Sequence, residues 1–151
     1  MEGKRGILVA PVLRPPPRSG LMPVMARETT EGICVEVESR YLPEQSDTVL
    51  DRYAFAYRIR ISNRSEATVQ LKRRHWFIAE GDGSVREVEG EGVVGEQPVM
   101  APGDTHEYTS GAVLKGPVGS MHGTYEMHRD DGRVFQAVIP RFRLEMPRTL
   151  H

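Results

Sequence analysis

Apolar and polar positions fall into a regular alternation only after the first thirty or so residues of the chain. Ile33, Val35 and Val37 share one side while Cys34, Glu36 and Glu38 take the other, the two-residue period of an extended strand with one buried face. The clearest run follows a polar stretch containing Pro43, Ser46 and Asp47: Tyr53, Phe55, Tyr57, Ile59 and Ile61 alternate with Ala54, Ala56, Arg58, Arg60 and Ser62. Asn63 to Ala67 supply a turn, and a third strand is predicted from Val69 to about Glu80. Within it, apolar residues of both parities at Trp76, Phe77 and Ile78 predict burial on two sides or a bulge.

Gly81, Asp82 and Gly83 then reverse the chain into a short strand from Val85 to Glu89. A glycine-rich connection and the turn Ala101-Pro102-Gly103-Asp104 lead to an extended segment from Thr105 to Ser110. Met121, Gly123, Tyr125 and Met127 alternate with His122, Thr124, Glu126 and His128, and Arg129 to Gly132 turn the chain into Val134 to Ile139, a predicted hairpin. About seven short strands and no helical periodicity predict an all-β fold, an antiparallel two-sheet sandwich. The 15 glycines, 11 prolines and 38% hydrophobic content agree with many short strands, and 151 residues suffice for one core.

Residues 1 to 27 are rich in Pro, Gly and Arg without periodicity and are predicted to be a flexible extension, leaving 28 to 151 as the domain. Lys4 and Arg5 precede an apolar run from Ile7 to Leu13, but Pro11 interrupts it and no small-residue cleavage signal follows, so a signal peptide is not expected. Met22 and Met25 are candidate alternative translation starts. The single cysteine, Cys34, forms no internal disulfide and fits a reducing cytoplasm. No stretch reaches the length of a membrane span.

Several motifs together resemble the bacterial ApaG family, whose domain also occurs in some F-box proteins and in a polymerase delta-interacting protein. They are Tyr41-Leu42-Pro43-Glu44-Gln45-Ser46, Tyr53-Ala54-Phe55-Ala56-Tyr57, Arg73-Arg74-His75-Trp76, the segment from Gly90 to Pro98, Tyr108-Thr109-Ser110-Gly111 and Gly119-Ser120-Met121. The likeness runs from about Thr30 to Leu144. It implies a fibronectin type III-like, immunoglobulin-like sandwich and no established enzyme. It also implies a link to cobalt and magnesium resistance or efflux, and, from the eukaryotic relatives, an interaction module.

The sharpest motif is Gly90-x-Gly92-x-x-Gly95, which in a strand-turn-helix setting would cradle a pyrophosphate. No helical pattern follows, Pro98 interrupts the next segment, and Glu89, Glu91 and Glu96 stand where a phosphate needs positive charge. The glycines are therefore expected to serve tight turns or close backbone approach. Positions 52 to 79 are basic and positions 87 to 114 acidic, within a formal net charge of -1. Adjacent strands are expected to pair these charges across a sheet, with a dipolar surface that steers a partner as the alternative. The balance disfavours nucleic acid as a ligand.

Trp76 is expected in the core, against an alternative in which Arg73-Arg74-His75-Trp76 anchors a partner or stacks on a base. His122 and His128 share a strand face but six residues at strand rise set them about 20 Å apart, too far for one ion. His75 or His106 with a carboxylate such as Glu107, or the loop acids, are the weaker metal options, and the expectation is no metal and no cofactor. No nucleophile elbow is present and Cys34 lacks a local activating signature. The sequence thus predicts a non-catalytic module that binds a protein, with a homodimer as a further option and no membrane contact. The contact candidates are Arg73, Arg74 and His75 with Gly90, Glu91, Gly92, Gly95 and Glu96. The alternative is a protein that responds to a small ligand or divalent cation, with a nucleotide, magnesium or cobalt held at the glycine-rich acidic loop.

Overall fold

The computed structural model describes residues 24–148. Nine strands, β1 (Val24–Thr30), β2 (Ile33–Tyr41), β3 (Tyr53–Asn63), β4 (Val69–Glu80), β5 (Val85–Glu91), β6 (Val99–Met100), β7 (Thr105–Leu114), β8 (Val118–Arg129) and β9 (Val134–Glu145), make up its regular structure besides short 3-10 turns. They form two antiparallel sheets, one ordered β1-β2-β3-β7, the other β5-β4-β8-β9 with β6 beside β4. The predicted sandwich is therefore present.

The inward faces meet around Trp76, whose ring lies 5.5 Å from Tyr57 of β3, 6.0 Å from Phe142 of β9 and 6.5 Å from Tyr125 of β8. Trp76 is 1% exposed. The side chain thus bridges the two sheets, and burying aromatic surface of this size is the largest single source of stability in such a core.

The mixed parity of β4 has a simple cause. Val69 and Leu71 are buried, then Arg74, Trp76 and Ile78, and the register against β8 shifts between Leu71 and Arg73. One extra residue at the shift reverses which parity faces inward. Strand β9 repeats the device: Phe135, Ala137 and Ile139 are buried, then Phe142 and Leu144, across a register shift opposite Met121 and Gly123. Pro140 falls at that irregularity, where a missing N–H costs no ladder bond.

Three differences from the sequence reading stand out. Strand β1 covers Val24–Thr30, so residues 24 to 27 belong to a strand and not to the expected extension; residues 1 to 23 lie outside the described residues. Strand β9 continues past Ile139 to Glu145. The stretch between β2 and β3 is no plain polar linker but two 3-10 turns, Pro43–Gln45 and Thr48–Leu50, whose Leu42 packs with Ala54 and Ala56 on the outer side of β3.

Candidate functional site

Strands β4 and β5 pair antiparallel with Arg73 opposite Glu91, Arg74 opposite Gly90, and His75 opposite Glu89. The register thus brings the two separate sequence motifs side by side. Alternation then divides them. Arg73, His75, Glu87, Glu89 and Glu91 occupy the outer face, while Arg74 is turned inward and buried.

Arg74 is therefore not a surface contact. Its Nη1 donates to the carbonyls of Glu91 and Gly92 at 3.0 and 2.8 Å, fastening the glycine-rich loop to the sandwich. The glycines of that loop have structural causes. A Cβ at Gly90 would meet the Arg74 guanidinium at 2.7 Å, and one at Gly92 would meet the Glu96 carbonyl oxygen at 2.3 Å. Val94 and Gly95 form the tip of a two-residue reversal, with Val93 and Glu96 exchanging backbone hydrogen bonds of 2.8 and 3.0 Å. Glu96 is exposed. The amides of Gly92, Val93 and Glu96 all donate to backbone carbonyls, and no helix follows Gly95 among the described residues. The loop offers no converging set of free amides at these positions.

Beneath Arg74 lies a polar seam in the core. The hydroxyls of Tyr108 and Tyr125 are hydrogen-bonded to each other, and Tyr57 lies opposite Ser110 in the β3–β7 ladder. Burial pushes the Tyr57 phenol up to about 12, against smaller opposing effects from Ser110 and the Arg74 charge. Burial likewise raises Tyr108 and Tyr125.

On the outer face the imidazole of His75 lies between two carboxylates, its Nε2 2.5 Å from Glu87 and its Nδ1 3.3 Å from Glu89. Phe77 packs on His75 at 4.6 Å and on His122 at 5.1 Å, so three rings lie in a row. Burial, followed by the Arg141 charge, lowers the pKa of His122. An open depression of about 300 Å³ adjoins the row, lined in part by Arg73, His75, Glu89 and Glu126. The expected pairing of basic with acidic strands is present here, Arg73 lying 4.0 Å from Glu89 and Glu91. It recurs on the other sheet, where Glu107 on β7 lies 3.2 Å from Arg58 and 3.7 Å from Arg60 on β3.

The comparisons with known proteins agree with this architecture. Residues 43–129 match the ApaG domain. The chain belongs to the ApaG family. The Protein ApaG of Nitrosospira multiformis is 57% identical over 127 residues, 84% of this chain and 100% of that protein. Its counterpart in Thiobacillus denitrificans is 53% identical with the same coverage. The crystal structure of a Bordetella pertussis protein named ApaA superposes with a TM-score of 0.74 at 47% identity, covering 83% of this chain and 99% of that one.

Sequence reading missed two features of this ApaG domain. Glu87 falls in the sequence only within an acidic region, although the strand pairing brings it diagonally within reach of His75. Val49 and Leu50, 89% and 66% exposed, went unremarked in a stretch read as polar. An aliphatic pair flanked by Asp47 and Asp51 was the available signal. Among the described residues no helix is long and apolar enough to cross a membrane.

Proposed function

We propose that this ApaG domain is a non-catalytic module that docks onto a protein partner through the projecting turn at Val49 and Leu50, with the charged face of β4 and β5 setting orientation. The exposure of that aliphatic pair on a rigid loop is the observation that supports it. Asp47 and Arg52 close the loop with reciprocal backbone bonds of 2.8 and 2.9 Å. The Asp47 side chain accepts from the Leu50 amide at 3.4 Å, Ser46 Oγ donates to the Leu42 carbonyl at 2.8 Å, and the Ala54 amide donates back to Ser46 Oγ at 2.8 Å. Apolar side chains held in place before binding lose little entropy on docking and make efficient anchors.

The outer face contributes Arg73, His75 and Glu91, whose exposed charges act on encounter rate and partner choice more than on affinity. In this reading the cobalt and magnesium phenotype implied by the resemblance passes through the partner, and the domain works in the cytoplasm. Buried Cys34 supports the absence of thiol chemistry there. The nucleotide alternative draws no support from the glycine-rich loop, whose amides are engaged as described above.

The test is affinity capture of the full chain from its own cell extract, wild type against Val49→Ser/Leu50→Ser and against Arg73→Glu. Loss of one co-purifying protein from the double variant, with an unchanged melting temperature, is the expected result. An identical set of captured proteins from all three baits would sink the docking surface. Light scattering on the same samples tells whether the occupant is a second copy of the chain.

A further inference from the structure

We propose that His75, Glu87 and Glu89 form a binding site for a divalent transition-series ion of the zinc class. The assignment departs from the expectation of no metal and is independent of the protein-docking reading. It rests on what the β4–β5 register creates. One imidazole nitrogen and one oxygen from each carboxylate lie within 4.8 Å of one another. A tetrahedral ion with arms of about 2.0 Å needs ligand atoms roughly 3.3 Å apart; Glu87 approaches Nε2 and Glu89 approaches Nδ1, so holding one ion requires one carboxylate to turn to the nitrogen the other already faces.

The supporting geometry is uneven in an informative way. His75 is directly opposite Glu89, and Glu87 is two pairs along, opposite Phe77 on the same face; all three backbones are fixed in the ladder. The imidazole does not swing freely, because the Phe77 ring lies against it and His122 stacks on the far side of Phe77. Side-chain exposures of 31%, 55% and 54% for His75, Glu87 and Glu89 leave an approach from solvent and room for water in the remaining coordination positions. The depression lined by His75, Glu89 and Thr124 opens on the same face.

Ligand chemistry selects the ion. A single imidazole with two carboxylates suits zinc, nickel or copper, whereas magnesium prefers an all-oxygen octahedron with several retained waters. Two carboxylates and a neutral imidazole bring two negative charges, which a divalent ion neutralises. Arg73, 4.0 Å from Glu89, competes with the ion for that carboxylate and sets the affinity in a modest range.

The experiment is calorimetric titration of the full chain, free of any affinity tag, with zinc chloride at neutral pH, repeated with 5 mM magnesium present. We expect saturable binding of one ion per chain that magnesium does not displace. His75→Gln, Glu87→Gln and Glu89→Gln should each weaken it at least tenfold, Glu126→Gln should leave it unchanged, and Arg73→Gln should tighten it several-fold. Histidine ring resonances in NMR should move for His75 before any other histidine. The glutamine variants of the two exposed carboxylates should keep the wild-type melting temperature without zinc, so lost binding there is not lost folding. Absence of saturable zinc binding, displacement by magnesium, or binding that survives His75→Gln or either carboxylate change would overturn the assignment.

Discussion

The guanidinium of Arg74 occupies the space that a side chain on Gly90 would need: a Cβ there would lie 2.7 Å from Nη2 and 2.9 Å from Cζ. The two residues face each other across β4 and β5, and the same guanidinium holds the carbonyls of Glu91 and Gly92. Gly90→Ala must therefore push Arg74 away from its acceptors. Charge-assisted hydrogen bonds contribute about 1.5–3 kcal/mol each, so we expect Gly90→Ala to destabilise by about 2 kcal/mol in urea unfolding. In an Arg74→Ala background the same change should cost much less, a coupling of about 1 kcal/mol or more. Strictly additive losses would show that the two do not compete for one space.

Val94 sits at φ 46° and Gly95 at φ 82°, the two positive values that a primed two-residue reversal requires. Gly95 tolerates this; a β-branched valine does not, because its Cβ crowds the backbone in the left-handed region. Val94→Asn is expected to stabilise by about 0.5–1 kcal/mol, relieving strain of the order seen at such positions, and a raised urea midpoint with an unchanged slope would register it. A midpoint at or below wild type would mean that the half-exposed valine side chain contributes packing that outweighs its backbone strain.

The parity of β4 explains what could and could not be read from the chain. Adjacent apolar residues at Trp76, Phe77 and Ile78 predicted a bulge or burial on both faces; the register shift lies earlier, between Leu71 and Arg73, and Phe77 is a partly exposed residue of the outer face, while Trp76 is in the core as expected. The inward turn of Arg74 follows from that same shift, since an even residue between the bulge and Trp76 must share the tryptophan's face, but a charged side chain reads as surface by default. Strand β1 was illegible because it is an edge strand exposed along most of its length, so burial imposes little alternation on it. The His75, Glu87 and Glu89 grouping depends on the register of β4 against β5, which the turn after Glu80 sets and apolar spacing does not encode.

Buried phenols make the fold sensitive to alkali. Tyr57 is raised to about 12 by burial, and Tyr108 and Tyr125 are raised as well. A phenol that resists ionisation in the fold still ionises near pH 10 in the unfolded chain. The stability it contributes is therefore whole below about pH 10 and declines as the pH climbs from there toward the folded-state value, by up to about 1.4 kcal/mol per pH unit for each such tyrosine. Urea midpoints should hold steady between pH 7 and 9.5, then drop steeply, and Tyr108→Phe should make the drop shallower. A midpoint that stays level to pH 12, or a slope indifferent to Tyr108→Phe, would contradict this account.

Asn63 ends β3 fully buried and holds three segments of chain with one amide. Its Nδ2 donates to the carbonyls of Ala67 at 2.8 Å and Met100 at 2.9 Å, while its Oδ1 accepts from the Ser65 amide at 2.9 Å and the Ser65 hydroxyl at 2.7 Å. Four bonds use the donor and acceptor capacity of the group. Asn63→Asp keeps the shape but replaces two donors with an acceptor facing two carbonyls, in a place where a charge cannot be solvated. Asn63→Ala removes all four bonds and leaves buried polar groups without partners, at about 1–3 kcal/mol for each left unpaired. Both variants should lose at least about 3 kcal/mol at neutral pH. The aspartate should recover part of its loss at pH 5, because a protonated carboxyl regains one donor. Equal losses for the two at both pH values would mean that the carboxyl gains nothing from protonation, and that one restored donor does not steady the turn between β3 and β4.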